Sequence, residues 1–406
     1  MTTPAGHQPS ATPAARGVTA PAGFRATGVT AGLKASGTPD LALVVNDGPL
    51  KHAAAVFTSN RVAAAPVHWS RQAIADGRAD AVILNSGGAN ACTGPQGFQN
   101  THATAEATAA ALGISAGDVL VCSTGLIGEQ LPMDKIHAGI AAACAALEGG
   151  SGHDGGAAAA TAIMTTDSVA KQAGFAGSGY SIGGMAKGAG MLAPGLATML
   201  VVITTDAALD PAELDTALRA ATRVSFDRAD SDGCMSTNDT VVLLASGASG
   251  TRPDSAGLTA EFTAGLTGLC IDLARQLIAD AEGAAHEISI RAFNAASEED
   301  AEEVARAVAR SNLFKTAIFG QDPNWGRVLS AVGTTAAAFE ADRLDVAING
   351  VQVCRSGGIG EDRSLVDLSG RDVLVEINLN AGTTEATLWT NDLTHDYVHE
   401  NSAYSS

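Results

Sequence analysis

The chain is poor in charge, and in positive charge above all. Of its 406 residues 17% are charged, with 24 Lys and Arg against 43 Asp and Glu, a formal net charge of -19. That imbalance argues against a nucleic-acid backbone or an anionic membrane surface as the partner. No run of residues is long and apolar enough to span a bilayer. Residues 1–20, rich in Pro, Thr and Ala, have no apolar segment of the kind a secretion signal needs, and a cytoplasmic protein is expected. Cys-x-x-Cys pairs are also lacking. The six cysteines (Cys92, Cys122, Cys144, Cys234, Cys270, Cys354) are widely spaced among small apolar neighbours, which predicts buried free thiols in a reducing compartment.

Several binding motifs are present only in part. Lys187 has no Ser or Thr after it, so it cannot close a phosphate loop. Gly188-Ala-Gly190-Met-Leu-Ala193 fits a dinucleotide fingerprint by letter, but Pro194 and Gly195 follow where a helix should open. In Asp227-Arg-Ala-Asp-Ser-Asp-Gly233 a calcium loop built on Gly233 would place its first ligand at Arg228, a cation. His395 and His399 lie four apart without the Glu a zinc helix requires. No metal and no cofactor is expected.

With 46% hydrophobic residues, the chain can bury a sizeable core in two domains or one large two-part domain. Residues 1–20 read as a disordered tail. Strands are predicted at Leu41–Val45, Ala53–Thr58, Pro66–Trp69, Ala81–Leu84, Asp118–Cys122, Ala162–Asp167, Thr198–Ile203, Thr240–Ala245 and Glu287–Arg291. Four more lie at 344–348, 351–354, 373–379 and 385–389. Helices are predicted over Thr101–Leu112, closed by Gly113, and from Pro132 to Leu147, with others at 211–224, 259–280 and 298–311. The last carries an acidic first turn, and residues 148–159 read as a Gly/Ala-rich connection. Asn85 to Asn90 forms a strand-end loop of the kind that often exposes backbone amides to a ligand. Strand, Ser123-Thr124-Gly125, then helix is a geometry that aims a hydroxyl and an amide the same way, as an oxyanion site needs, although ordinary strand-to-helix turns look alike. Thr165-Thr166-Asp167 echoes Thr204-Thr205-Asp206, as in two similar strands.

The segment from Gly183 to Asp206 organises these elements. A flexible glycine-rich arm carrying Lys187 stiffens at Pro194 and meets an apolar strand at the Ala197–Thr198 bond. One hydroxyl at the head of that strand suits self-cleavage, in which Thr198 attacks its own preceding carbonyl and becomes an N-terminus. A freed threonine supplies both nucleophile and base, its α-amine taking the hydroxyl proton. Threonine is also a common strand residue, so this stretch alone does not decide the matter.

Seven stretches in order resemble the ornithine acetyltransferase (glutamate N-acetyltransferase) family of arginine biosynthesis. They are Gly184-Met-Ala-Lys-Gly188, Ala197-Thr198-Met199-Leu200, Thr204-Thr205-Asp206, Ser236-Thr-Asn-Asp-Thr240, Asp280-Ala-Glu-Gly283, Asp322-Pro-Asn-Trp-Gly-Arg327 and Asp392-Leu-Thr-His395. The resemblance runs from Phe24 to the last residue. It implies an α/β (α+β) fold, a layered α/β/β/α sandwich of the kind shared with certain self-processing aminopeptidases. It further implies cleavage into an α chain (21–197) and a β chain (198–406), assembled as a heterotetramer of two of each.

By the same resemblance Thr198 matches the nucleophile, and Thr124 and Gly125 the oxyanion pair. Thr165, Lys187, Thr198, Glu282, Asn401 and Ser406 match substrate-binding positions. The implied reaction moves acetyl from N-acetylornithine to glutamate through an acetyl-threonine, and some family members also take acetyl-CoA as acetyl donor. Lys187 either lowers the amine pKa or binds the substrate carboxylate; both roles stay open. Glu282 is suited to a substrate amino group, and Asn401 and Ser406 to closing the site from an ordered C-terminus. Ala284-Ala285-His286, Ser406 and Gly195-Leu196 depart from the family pattern and bear on substrate preference. The competing expectation is an amidohydrolase or aminopeptidase that gives the acyl group to water.

Overall fold

The computed structural model describes residues 17–149, 155–193 and 199–403. The first part of the chain builds β1 (Phe24–Val29), β2 (Leu41–Asn46), β3 (His52–Phe57), α1 (Ala65–Ala73), β4 (Ala81–Ser86) and α2 (Gly94–Leu112). Then come β5 (Val119–Thr124), α3 (Met133–Glu148), α4 (Gly155–Ala162), β6 (Lys171–Ala176) and β7 (Ser181–Lys187). Beyond the undescribed 194–198 lie β8 (Leu200–Thr205), α5 (Pro211–Arg223), β9 (Thr240–Ala245) and α6 (Ala256–Ala279).

Two sheets face each other. One has the order β1-β2-β4-β5 and the other β3-β9-β8-β7-β6. β2, β4, β5, β8 and β9 are buried along their whole length, as near-continuous apolar runs become when both faces are covered. Val44, Val82, Leu84 and Leu120 of the first sheet pack with Met185, Val202, Val242 and Leu244 of the second. On the outer faces, Ile136 and Ile140 of α3 cover the first sheet, and Leu214, Leu266 and Leu273 of α5 and α6 cover the second. The expected α/β/β/α layering is therefore present.

A third sheet stands beside the sandwich and was not foreseen as a separate unit. It is made of β10 (Glu287–Ala295), β11 (Asp345–Ile348), β12 (Val351–Arg355), β13 (Gly358–Ile359), β14 (Asp372–Asn378) and β15 (Thr384–Asn391). With α7 (Glu298–Ala309), α8 (Asn312–Phe319) and α9 (Trp325–Val332) it encloses a core of its own. Ser297 caps α7 by accepting from the Asp300 amide, and the acidic first turn faces the positive end of the helix dipole. The chain closes with α10 (His395–Ala403), which bears the two histidines on its exposed side.

Some local expectations are corrected. Pro66–Trp69 is part of α1, where Pro suits a first helical turn. Residues 162–167 are the end of α4 and a turn, in which the Thr165 amide donates to Asp167 Oδ2, and α4 takes in residues 155–159 of the expected 148–159 connection. The threonine echo is thus between a turn and strand β8. Cys92 and Cys234 are exposed, while the other four cysteines are buried.

The glycine arm and the tail share one correction. Gly183 and Gly184 lie inside β7, and a Cβ on Gly183 would stand 2.1 Å from the Gly17 carbonyl oxygen. Those glycines permit close backbone approach, not looseness. The chain at Gly17–Ala20 accordingly packs across β7: Val18 is fully buried and its carbonyl accepts from Thr204 Oγ1. Only residues 1–16 of the expected tail lie outside the described residues.

Candidate active site

The ends of β5, β7 and β9 converge where the two sheets meet. β4 and β5 run parallel with Ser86 opposite Thr124, so the Asn85–Asn90 loop and Thr124-Gly125 leave the first sheet side by side. The Thr124 carbonyl accepts from the Gly87 and Gly88 amides at 2.9 and 3.0 Å. Gly125 has φ +127°, and a Cβ there would stand 2.5 Å from the Gly88 nitrogen. Only glycine fits that turn.

Lys187, the last residue of β7, is 1% exposed and donates from Nζ to Thr124 Oγ1 at 3.3 Å. A hydroxyl accepts at its lone pairs and donates once, so with Lys187 filling an acceptor position the Thr124 proton remains for another group. Burial lowers the Lys187 ammonium from its ordinary value, with Asp167, 4.0 Å away, opposing the shift and Lys171 adding to it. Asp167 is itself buried, which alone would raise its carboxyl. The ammonium groups of Lys187 and Lys171, a hydrogen bond from Lys171 at 2.7 Å and one from the Thr165 amide at 2.9 Å hold it well below the usual carboxylate range. Lys171 also pairs with Asp280 at 2.5 Å, two residues before Glu282. The buried chain Lys187–Asp167–Lys171–Asp280 ties the β7 end to the Glu282 segment.

Glu282 Oε2 accepts from Asn401 Nδ2 at 3.0 Å. Asn401 belongs to α10, which rests on the turn at Gly283: a Cβ at Gly283 would stand 2.2 Å from the Tyr397 nitrogen, and Thr394 Oγ1 donates to the Gly283 carbonyl. Asn401 is thus held in place on α10, and its partner in this structure is Glu282.

Thr124, Gly125, Thr165, Lys187, Glu282 and Asn401, six residues from five separate places in the sequence, line one cavity of about 640 Å³. Thr198, its neighbour Ala197 and Ser406 lie outside the described residues. Met199, which follows Thr198, is held by Asp239, whose Oδ1 accepts the Met199 amide at 3.0 Å. Burial raises the Asp239 carboxyl well above its ordinary value, more than the Met199 amide, Ser236 and Lys187 lower it.

The sequence model of the ArgJ family matches residues 25–406. The chain is 64% identical to the arginine biosynthesis bifunctional protein ArgJ of Streptomyces coelicolor over 389 residues, 96% of this chain and all of that one. This chain belongs to the ArgJ family. It is 56% identical to the protein of the same name from Mycobacterium leprae over 398 residues, covering 97% of this chain and 96% of that one. A crystal structure of ornithine acetyltransferase complexed with ornithine from Mycobacterium tuberculosis is 55% identical over 46% of this chain and 97% of its own, with a TM-score of 0.41.

Other lining residues of this ArgJ-family cavity were not singled out from the sequence. Ser236, Thr237 and Asn238 form one wall, and Asn238 Nδ2 donates to the Ala89 and Ser123 carbonyls at 2.6 and 2.8 Å, clamping the start of β9 to the end of β5. Their signal was the Ser236–Thr240 match to the family, which carries no assigned site role. The segment Leu33–Ser36, partly exposed, forms part of the rim and carries no motif. Asp230, considered above for calcium, is engaged by Arg306 and Arg310.

Proposed function

We propose that this cavity transfers acetyl from N-acetylornithine to glutamate through Thr198, and that Thr198 is exposed by self-cleavage after Ala197. As an ArgJ-family member the chain is an acyltransferase of arginine biosynthesis. Thr198 Oγ attacks the acetyl carbonyl while the Thr198 α-amine takes its proton. The tetrahedral oxyanion is received by the Gly125 amide and the Thr124 hydroxyl. Collapse breaks the amide bond, and the amine leaves as ornithine with the proton returned from the Thr198 ammonium. The amine of glutamate then attacks the acetyl ester, Thr198 Oγ leaves and recovers a proton, and N-acetylglutamate departs.

The observation that carries this reading is the hydroxyl of Thr124, buried beside Gly125 with Lys187 bonded to its oxygen. That arrangement orients a hydrogen-bond donor without needing solvent, which is the condition for stabilising an oxyanion. Lys187 stands where it can lower the pKa of a nearby amine from its free value of about 7.7 to 8.0. Glu282 is suited to the ornithine side-chain ammonium.

Thr124→Val, which keeps shape and removes the hydroxyl, is expected to lower kcat about 10²- to 10³-fold with KM nearly unchanged. An unchanged kcat removes Thr124 from the oxyanion role. Gly190→Ala is a milder probe. Its Cβ would stand 2.5 Å from Glu282 Oε2, so the carboxylate must shift. The KM for N-acetylornithine is expected to rise roughly 10-fold, the scale on which small misplacements act; an unchanged KM separates Glu282 from the donor.

Product analysis with and without glutamate tests transfer against hydrolysis. Acetate release indifferent to glutamate would favour the amidohydrolase. The same assay with acetyl-CoA in place of N-acetylornithine tests the second acetyl donor. We further propose an assembly of two α and two β chains acting in the cytoplasm; a molar mass in solution other than that of the heterotetramer would overturn it. No helix among the described residues is long and apolar enough to cross a membrane.

A further inference from the structure

The cavity has to accept two substrates of opposite side-chain charge in turn. N-acetylornithine carries a distal ammonium, whereas glutamate carries a distal carboxylate and also needs its α-amine free to attack. Among the described residues, the charged ones lining the cavity are Lys34, Lys187 and Glu282. Glu282 suits the ammonium of the donor. Lys187 is enclosed at the cavity floor, bonded to Thr124 and close to Asp167. Lys34 remains.

Lys34 sits on the Leu33–Ser36 rim, half-buried, on a segment built to hold it. The buried carboxylate of Asp40 accepts three backbone amides in succession, from Ala31 at 2.6 Å, Leu33 at 2.5 Å and Lys34 at 3.0 Å. Three amides on one carboxylate make a rigid turn and leave that charge satisfied. The turn lies against the oxyanion loop: a Cβ on Gly87 would stand 3.2 Å from Leu33 backbone and side-chain atoms, and Gly87 holds the Thr124 carbonyl. Lys34 Nζ donates to the Pro39 carbonyl at 2.8 Å, and no carboxylate is in salt-bridge contact with it among the described residues. An ammonium has three donors, so two are left for a ligand. Burial lowers the Lys34 ammonium, Asp40 opposes that shift, and the charge of Lys187 adds to it. An anion bound between the two lysines relieves their repulsion.

We propose that Lys34 binds the side-chain carboxylate of the acceptor and so selects glutamate for the second half-reaction. This rests on the transfer reading above and extends it to the choice of acceptor. Glu282 and Lys34 then divide the work, one for the distal cation of the donor and one for the distal anion of the acceptor.

Steady-state kinetics with both substrates varied, on Lys34→Met and Lys34→Arg, test the assignment. In Lys34→Met the KM for glutamate is expected to rise about 10- to 100-fold, the factor lost with a charge-assisted hydrogen bond. The rise should fall on glutamate and not on N-acetylornithine, and Lys34→Arg should recover most of it. Glutamine, which lacks the side-chain charge, supplies the second readout: the preference for glutamate over glutamine should shrink by the same factor in Lys34→Met. A glutamate KM that stays put, or both KM values rising together, overturns the assignment while leaving the transfer reading intact. A wild-type chain that releases no ornithine from N-acetylornithine overturns the transfer reading and this inference with it.

Discussion

Thr198→Ala is expected to remain a single chain of full length and to lose acetyl transfer by roughly 10⁶-fold, the scale on which deletion of a covalent nucleophile acts. A denaturing gel should show one band for the variant and two for the wild type, with the smaller-numbered cut product ending at Ala197 and the other beginning Thr-Met-Leu-Val. Thr198→Ser keeps an oxygen nucleophile and should retain cleavage. Two bands from Thr198→Ala, or an active wild type that is never cut, would refute the mechanism.

The cut is not expected to release the halves. β7 precedes it and β8 follows it, and the two strands pair antiparallel from Ile182–Thr205 to Lys187–Leu200 inside one sheet. β8 and β9 from one product are thus flanked by β3, β6 and β7 from the other. The products should co-purify until denatured.

Asp167→Asn is expected to cost about 3 to 5 kcal/mol of stability, because removing one partner of a buried pair leaves the other charge uncompensated. Lys187 and Lys171 both face Asp167, while Lys171 keeps Asp280. Lys187 is the group left stranded, and its ammonium should fall further below the ordinary lysine value. The pH dependence has a definite sign. The Asp167 carboxyl is depressed in the folded chain, so its contribution is fully present above the unfolded carboxylate value of about 3.9 and fades as pH falls from there towards the depressed value. Denaturant titrations between neutral pH and pH 3 should show the gap between wild type and Asp167→Asn narrowing only below about pH 4. A constant gap through that range would deny Asp167 this role.

What could be read before folding depended on the range over which each signal acts. Apolar runs such as Leu41–Val45 and Ala81–Leu84 announce buried strands because strand burial follows from a few adjacent residues. Helix stops such as Gly113, with φ +69°, are equally local. Pro66–Trp69 and residues 162–167 went astray because short apolar or threonine-rich pieces satisfy strand and helix preferences alike, and packing decides between them. Gly183 and Gly184 were read as looseness because the backbone they admit, at Gly17, is far away along the chain.

Composition and motif order alone settled the globular character of the core, the family resemblance and the identity of six residues that meet in one cavity, since each of those signals is carried by residue type or by neighbours in the chain. Folding decided the rest. That Lys187 bonds to Thr124, that Asp167 binds two lysines, that Asn401 reaches Glu282 and that Lys34 stands at the rim are contacts between residues far apart in sequence. Hydrogen bonds and charge pairs act over a few ångströms, and only the packed sheets bring those groups within that distance.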